Sequence, residues 1–395
     1  MSSSVRRLTA VVLIALVPRV VAAIALGNGF HFADEAEYAD TARRLLSGEG
    51  FGETYGRVPG YPALLALLAA PAPETVLWLR LAQAVVAAVG AAVTFVAADR
   101  LMGRTAAVAA AAIYALDPLL VVAAGLLYPE AVAAVLMVGV VLVAWEAAYR
   151  DSPVLAASAG SLLGLLALLR PIALVVVPVV AAWVLFATDA RLARRALHAI
   201  LVGLACLLVL APWTYRSYRV HGRLIPVSLA GTRGASVSPG EVEQRGVAGA
   251  LMDKARTEPL ALASRMAREF GHFWELVPSR LVTDDPARRE ALHRGDPRLP
   301  TQPSFSRSLR DAVSAASFGI ELLLALGGLV LLWRDRRREA VLLAAVVLAY
   351  ALGHSLFVGK LRYRITVLPL LLLFAGAAAS ALYAAIRGRL AARGA

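Results

Sequence analysis

Asp34 and Glu35 stand side by side near the head of a polar stretch, Phe30–Pro62, that separates long apolar runs. A carboxylate placed there can act as a general base, taking the proton from an attacking hydroxyl. Far along the chain, Lys360, Arg362, Tyr363 and Arg364 precede the last apolar run, and Arg170 sits between two earlier ones. Guanidinium and ammonium groups at the edge of a bilayer suit a lipid phosphate, which they hold while charge develops on it. Asp117, Glu130 and the segment Trp213–Arg219 also flank apolar runs. Singly, each of these charges reads as a solvated loop end. Together, a carboxylate facing a basic cluster suits transfer of a group from a phosphorylated lipid.

The composition says what must position them. The chain has 395 residues, 59% hydrophobic and 17% charged, against about 25% charged in a soluble domain. The apolar residues come in blocks, so an all-α polytopic membrane protein is expected. The net charge of +13 is no nucleic-acid signature, because the arginines flank apolar runs in short clusters and form no basic stripe. Cys206 is the only cysteine and lies inside an apolar run, which removes disulfide, zinc-cluster and thiol redox chemistry.

Ten spans are expected. The first, Leu8–Leu26, is longer than the 7–15 residues or so of a signal-peptide core and reads as an uncleaved crossing. The others are Val76–Ala98, Ala106–Leu120, Ala131–Ala148, Val154–Leu169, Ile172–Ala187, Ala196–Pro212, Ala312–Trp333, Ala340–Phe357 and Ile365–Ile386. Arginines crowd the connections Asp99–Arg104, Arg150–Ser152, Thr188–Arg195 and Arg334–Glu339 and the tail from Arg387. By the positive-inside rule these are cytoplasmic, with both termini. The first loop (27–75) and a polar region, 213–311, then share the outer face of a bacterial cytoplasmic membrane. Three units follow: a membrane module 1–212, an outer subdomain 213–311 and terminal helices 312–395.

Within the first loop, Tyr38, Ala42, Leu45 and Leu46 fall on one helical face. Gly48, Gly50 and Gly52 break that helix, and Arg57–Pro62 turns the chain back. Tyr61–Ala70 is apolar but too short to cross. In the outer region, Val247–Leu276 is helical with a break at Glu258-Pro259 and carries Met266, Phe270, Phe273 and Trp274 near one face, which suits a helix packed over the bundle mouth. His221, His272 and His293 lack metal-binding spacing. No metal or other cofactor is therefore predicted, although a divalent cation bridging carboxylate and phosphate stays open. Arg19 either snorkels to the interface or faces a cavity, and Glu321 is either cavity-facing or paired.

The pattern Asp34-Glu35-x-x-Tyr38, with Ala42-Arg43-x-Leu45-Leu46-x-Gly48-x-Gly50-Phe51 and Pro59-Gly60-Tyr61-Pro62, resembles the first outer loop of family-39-type glycosyltransferases. These are GT-C class membrane enzymes, similar to protein O-mannosyltransferases and the lipid A aminoarabinose transferase. Leu127–Glu130, Leu169–Pro171, Pro212–Tyr218 and Arg362–Arg364 with Leu368-Pro369 fit the same resemblance. It implies a polyprenyl-phosphate sugar donor and inverting transfer at the outer face to a glycan, lipid or protein acceptor. It further implies Asp34 as base, Glu130 as second acid, and Arg170, Lys360, Arg362, Tyr363 and Arg364 at the lipid phosphate. Glu35 is expected to hold the loop by hydrogen bonds, with Tyr38, Arg57 and Tyr61 in support. The Trp-Trp-Asp stretch of oligosaccharyltransferases is missing, which argues against transfer of a preassembled oligosaccharide to asparagine. Two other classes compete. A flippase for lipid-linked saccharides would need a polar path through the bundle, and no paired broken helices are visible. An O-antigen polymerase or ligase would rely on arginines of the late loop, such as Arg233 or Arg245.

Overall fold

Proline or glycine marks where several of the apolar helices stop, as at Gly27, Gly103, Pro118 and Gly222. The structure, a computed structural model, describes residues 3–52, 57–72, 75–187, 190–222, 225, 227–228, 239–278 and 307–393, and these contain helices and no strand. In chain order the membrane helices are α1 (Ser3–Leu26), α4 (Val76–Met102), α5 (Arg104–Leu116), α6 (Pro118–Gly125), α7 (Glu130–Tyr149), α8 (Pro153–Leu169), α9 (Val176–Phe186), α10 (Leu192–His221), α13 (Arg307–Asp335), α14 (Arg337–Ser355) and α15 (Leu368–Arg393). Four others, α2 (Ala33–Leu46), α3 (Gly60–Ala69), α11 (Pro239–Thr257) and α12 (Pro259–Phe273), belong to the two polar regions 27–75 and 213–311. His293 and Arg233 lie outside the described residues.

All ten expected spans are helical. Among the described residues seven helices are long and apolar enough to cross a membrane, and α5 with α6, bent by 53°, is long and apolar enough only as a pair. The remaining two, Pro153–Leu169 and Pro171–Phe186, are shorter apolar helices. Arg170-Pro171 separates them: Arg170 ends α8 in extended conformation, and Pro171 opens a 3-10 turn that leads into α9. Helix α3 has ten residues, as its short apolar run suggested. Helix α10 runs on through Pro212 to His221, nine residues beyond the expected end of that span, and stops at left-handed Gly222.

The bend between α5 and α6 has a local cause. Pro118 has no N–H to give to Tyr114, four residues back, so that carbonyl is released inside the bundle. Asp117 restarts the helix by accepting from the Leu120 amide at 2.6 Å. Arg19 of α1 takes up oxygens at this bend, donating to Tyr114 O (2.9 Å) and Ala115 O (3.0 Å), and also donates to Ala15 O of its own helix (2.8 Å). Arg19 is fully buried, so it neither snorkels to the interface nor lines an open cavity. Glu321 is likewise paired, through a hydrogen bond with Asp117.

Small residues let the helices approach, as membrane packing requires. A Cβ on Gly328 of α13 would sit 1.8 Å from Phe374 O of α15, and one on Gly160 of α8 would sit 2.2 Å from Val202 O of α10. Helix α12 breaks from α11 at Glu258, where the sequence placed the break, and buries Phe273 against Tyr350 of α14. Helix α12 thereby covers one end of the bundle.

Candidate active site

The first turn of α2 presents both acids of the opening pair. Glu35 folds back to accept from the amides of His31 (2.6 Å) and Phe32 (3.1 Å), which caps the helix. Its carboxylate is fully buried and also accepts from Arg80 (2.8 Å) and the Leu127 amide (2.8 Å). Glu35 thereby joins the start of α2 to α4 and to the segment before α7. Asp34, one residue earlier, points the other way and stays partly exposed.

Both oxygens of Asp34 face guanidinium groups. Oδ1 accepts from Nη1 and Nη2 of Arg57, each at 3.3 Å, and Oδ2 accepts from Nη2 of Arg362 at 3.2 Å. Burial would push the Asp34 carboxyl up, but Arg362 and Arg57 outweigh it and hold it below the ordinary value. Arg362 also approaches Glu130, with Nε 3.5 Å from Oε1, and Arg170 pairs with the same oxygen. The result is a line of alternating charge: Arg57, Asp34, Arg362, Glu130, Arg170. Arg57 ends in a second ion pair, with Glu37 at 2.5 Å.

Aromatic rings frame this line. Arg362 lies over Tyr128 (4.5 Å) and beside Tyr363 (5.1 Å), and Arg170 lies over Tyr363 (4.7 Å). Burial would raise the Tyr363 phenol, but the two arginines together bring it below its usual value. Tyr38 packs edge-on against Tyr61 (5.0 Å) and Tyr128 (6.5 Å), with Arg57 over its ring at 5.6 Å. Tyr61 stands behind, its hydroxyl donating to Gln83 at 2.5 Å. Cation–π contacts of this kind hold a guanidinium in place while leaving its N–H edge for an anion.

The basic residues before the last span divide. They form a 3-10 segment, Leu361–Thr366, whose three-residue turn sends positions 362 and 364 to different sides. Arg362 and Tyr363 meet the carboxylates. Arg364 turns away, donating to Phe273 O (3.3 Å) and Glu275 O (2.9 Å), with Phe318 under its guanidinium and Asp117 and Glu321 as its charge partners. Lys360 stands half-buried at the head of the segment, and its charge reaches Tyr363. Helix α12 braces the connection into it: Gly359 N donates to Glu269 (2.8 Å), and a Cβ on Gly359 would come 1.8 Å from Glu269 O.

The structure thus gathers Asp34, Glu130, Tyr38, Arg57, Arg170, Arg362 and Tyr363, with Glu35 and Tyr61 one layer behind. Arg80, Gln83 and Glu37 were not singled out from the sequence, nor was Tyr128 beyond its place in the Leu127–Glu130 stretch. Arg80 and Gln83 had a readable signal, since polar side chains inside an apolar span mark a built polar interior. Of the segment Trp213–Arg219, Arg216 donates to Gly52 O at 2.6 Å and lies over Trp213 and Phe51, closing the end of the first loop. Among the described residues no group of three or more His, Cys, Asp or Glu side chains is arranged to hold a metal ion.

Comparison with known proteins bears on the architecture. No family model matches the chain, and no curated protein matches it in sequence. Solved structures do match. The apo oligosaccharyltransferase of Archaeoglobus fulgidus superposes with a TM-score of 0.59 at 16% identity, covering 97% of this chain and 52% of its own. ArnT from Cupriavidus metallidurans bound to undecaprenyl phosphate gives 0.60 at 17% identity, covering 95% and 60%. AglB from A. fulgidus, in complex with an inhibitory peptide and a dolichol-phosphate, gives 0.57 at 15%, covering 97% and 51%. The chain spans about half to three-fifths of the length of these structures. At such identities the likeness is one of fold: the helices are arranged as in GT-C membrane glycosyltransferases.

Proposed function

We propose that the protein is an integral-membrane glycosyltransferase that moves a sugar from a polyprenyl-phosphate donor to an acceptor hydroxyl, with inversion at the anomeric carbon. The observation that carries this reading is Arg362 lying between Asp34 and Glu130. A base and an anion-binding group are thereby adjacent, at the end of the bundle opposite the arginine-rich connections. That end is the outer face of a bacterial cytoplasmic membrane, with both termini cytoplasmic, if those connections follow the positive-inside rule. The fold likeness supports the donor class, because ArnT was solved with undecaprenyl phosphate and AglB with a dolichol-phosphate.

The acceptor oxygen attacks the anomeric carbon as the bond to the phosphate oxygen breaks. The electron pair goes to the phosphate, and the hydroxyl proton goes to Asp34. Arg362, Arg170, Lys360 and Tyr363 meet the charge that builds on the phosphate. In the chain without donor, Arg362 neutralises Asp34 and weakens it as a base. A phosphate that draws Arg362 away restores the basicity of Asp34, so the base is ready only when the donor is bound. Glu130 holds Arg362 and Arg170 together, since both approach its Oε1.

The test is transfer by purified protein from undecaprenyl phosphoryl mannose, glucose and galactose, with mass spectrometry of co-purified lipid. Asp34→Asn should retain folding and lose transfer by about 10²–10⁴-fold. Unchanged turnover in that variant removes Asp34 as base.

A further inference from the structure

The least expected polar group lies near the start of α4, within what reads as an apolar crossing. Arg80 and Gln83 are three residues apart on one helix face, and both are fully buried. We infer that they are positioning residues for transfer, clamping the loop that carries Asp34 to the segment that carries Glu130. This inference rests on the glycosyltransferase reading above.

The physical need for them begins in α6. That helix stops at Gly125 inside the protein, and its last carbonyls have no helical partner. In apolar surroundings each such oxygen is costly unless another group donates to it. Gln83 Nε2 donates to Leu126 O (2.6 Å) and Ala124 O (3.0 Å), and Arg80 Nη1 donates to Gly125 O (2.5 Å). These bonds fix the segment that leads through Leu127 and Tyr128 to Glu130.

The same two side chains also hold the other wall. Arg80 donates to Gly27 O (3.1 Å) and Gly29 O (2.6 Å), just before α2, and to Glu35 Oε1 (2.8 Å), next to Asp34. Gln83 Oε1 accepts from Tyr61, which leads α3. Glu35 then closes the circuit by accepting from the Leu127 amide (2.8 Å). One face of α4 therefore sets the distance between two carboxylates that Arg362 can bridge only while they stay close. Lysine could not replace Arg80, because its single ammonium lacks the fork that serves four oxygens in several directions.

The experiment uses full-length protein in detergent. Two readouts are followed: binding of undecaprenyl phosphate, and transfer from undecaprenyl phosphoryl mannose, glucose and galactose. Arg80→Met alone strands the Glu35 charge, so the informative variant pairs it with Glu35→Gln, which removes both buried charges together. Gln83→Leu, which introduces no charge, is the second test. Misplacement by about 1 Å lowers rate by about 10²-fold. The paired variant should therefore lose about 10²-fold in kcat, and Gln83→Leu about 10-fold, while KM and undecaprenyl phosphate affinity stay within about 3-fold. Restoring Arg80 and Glu35 together returns kcat. A kcat within about 3-fold of wild type in both variants overturns the inference, and so does a parallel loss of lipid-phosphate binding. Absence of transfer by the wild type from all three esters overturns the reaction reading itself, and is told apart by that wild-type result.

Discussion

Arg362 reaches Asp34 across 328 positions of sequence, placing Nη2 3.2 Å from Oδ2. Two loops at opposite ends of the chain meet there, and neither has its chemistry without the other. An arginine so placed is either a lock on the base or the receptor for an anion. In the proposed reaction it is first one and then the other.

Replacing Arg362 with alanine should remove the phosphate receptor while leaving Asp34 paired with Arg57. Undecaprenyl phosphate affinity should fall by about 10–10²-fold and turnover by about 10³-fold, the scale of losing a preorganised charge at a departing oxyanion. Arg362→Lys should recover little, because an ammonium does not reproduce a guanidinium stacked between Tyr128 and Tyr363. Titration of the purified variants with undecaprenyl phosphate checks both.

The pH dependence has a definite sign. The folded Asp34 carboxyl is held below its ordinary value once Arg362 and Arg57 have overcome its burial. Its pairing therefore stabilises the fold above the unfolded value, about 3.9, and that contribution is lost as pH falls through the lower folded value. Melting temperature against pH should show an acid loss that Asp34→Asn reduces. Donor binding that draws Arg362 away should raise the carboxyl again. The acid limb of kcat should then lie at higher pH than that of kcat/KM, since the first reports the bound state and the second the free enzyme.

Two glycine substitutions separate scaffold from site. A Cβ at Gly328 meets Phe374 O at 1.8 Å, and one at Gly359 meets Glu269 O at 1.8 Å. Each alanine should cost about 1–3 kcal/mol by overpacking. Gly328→Ala should leave undecaprenyl phosphate affinity unchanged, because it moves α13 against α15. Gly359→Ala should weaken that affinity as well, because it pushes α12 off the connection that carries Lys360 and Arg362. Thermal melting and lipid titration on the same samples distinguish the two.

Arg364 provides a contrast with its neighbour. It is fully buried and serves Phe273 O and Glu275 O on the side away from Asp34. Arg364→Met should lower the melting temperature, since it leaves those carbonyls and the Asp117–Glu321 pair without their cation. Lipid-phosphate affinity in the folded fraction should stay within about 3-fold of wild type, a change worth less than 1 kcal/mol.

How far the sequence foretold this depended on how local each cause was. The apolar runs were legible because a bilayer fixes their length and composition. The opening loop was legible because Asp34, Glu35 and the glycines sit together. Arg19 could not be placed, because two of its partners are carbonyls of another helix at the bend made by Pro118. Arg364 was grouped with Arg362 by proximity in sequence, which a 3-10 turn does not preserve in space. Arg80 and Gln83 were passed over because an apolar average hid two polar positions, and their purpose depends on a helix end some forty residues away.

The most direct measurement is single-turnover transfer by wild type and Asp34→Asn, each saturated with the undecaprenyl phosphoryl hexose that the wild type uses. Equal donor occupancy with a rate at least about 10²-fold lower in the variant is the predicted result. Equal rates at equal occupancy would contradict it, and Asp34 would then be a partner of Arg362 with no part in the chemistry.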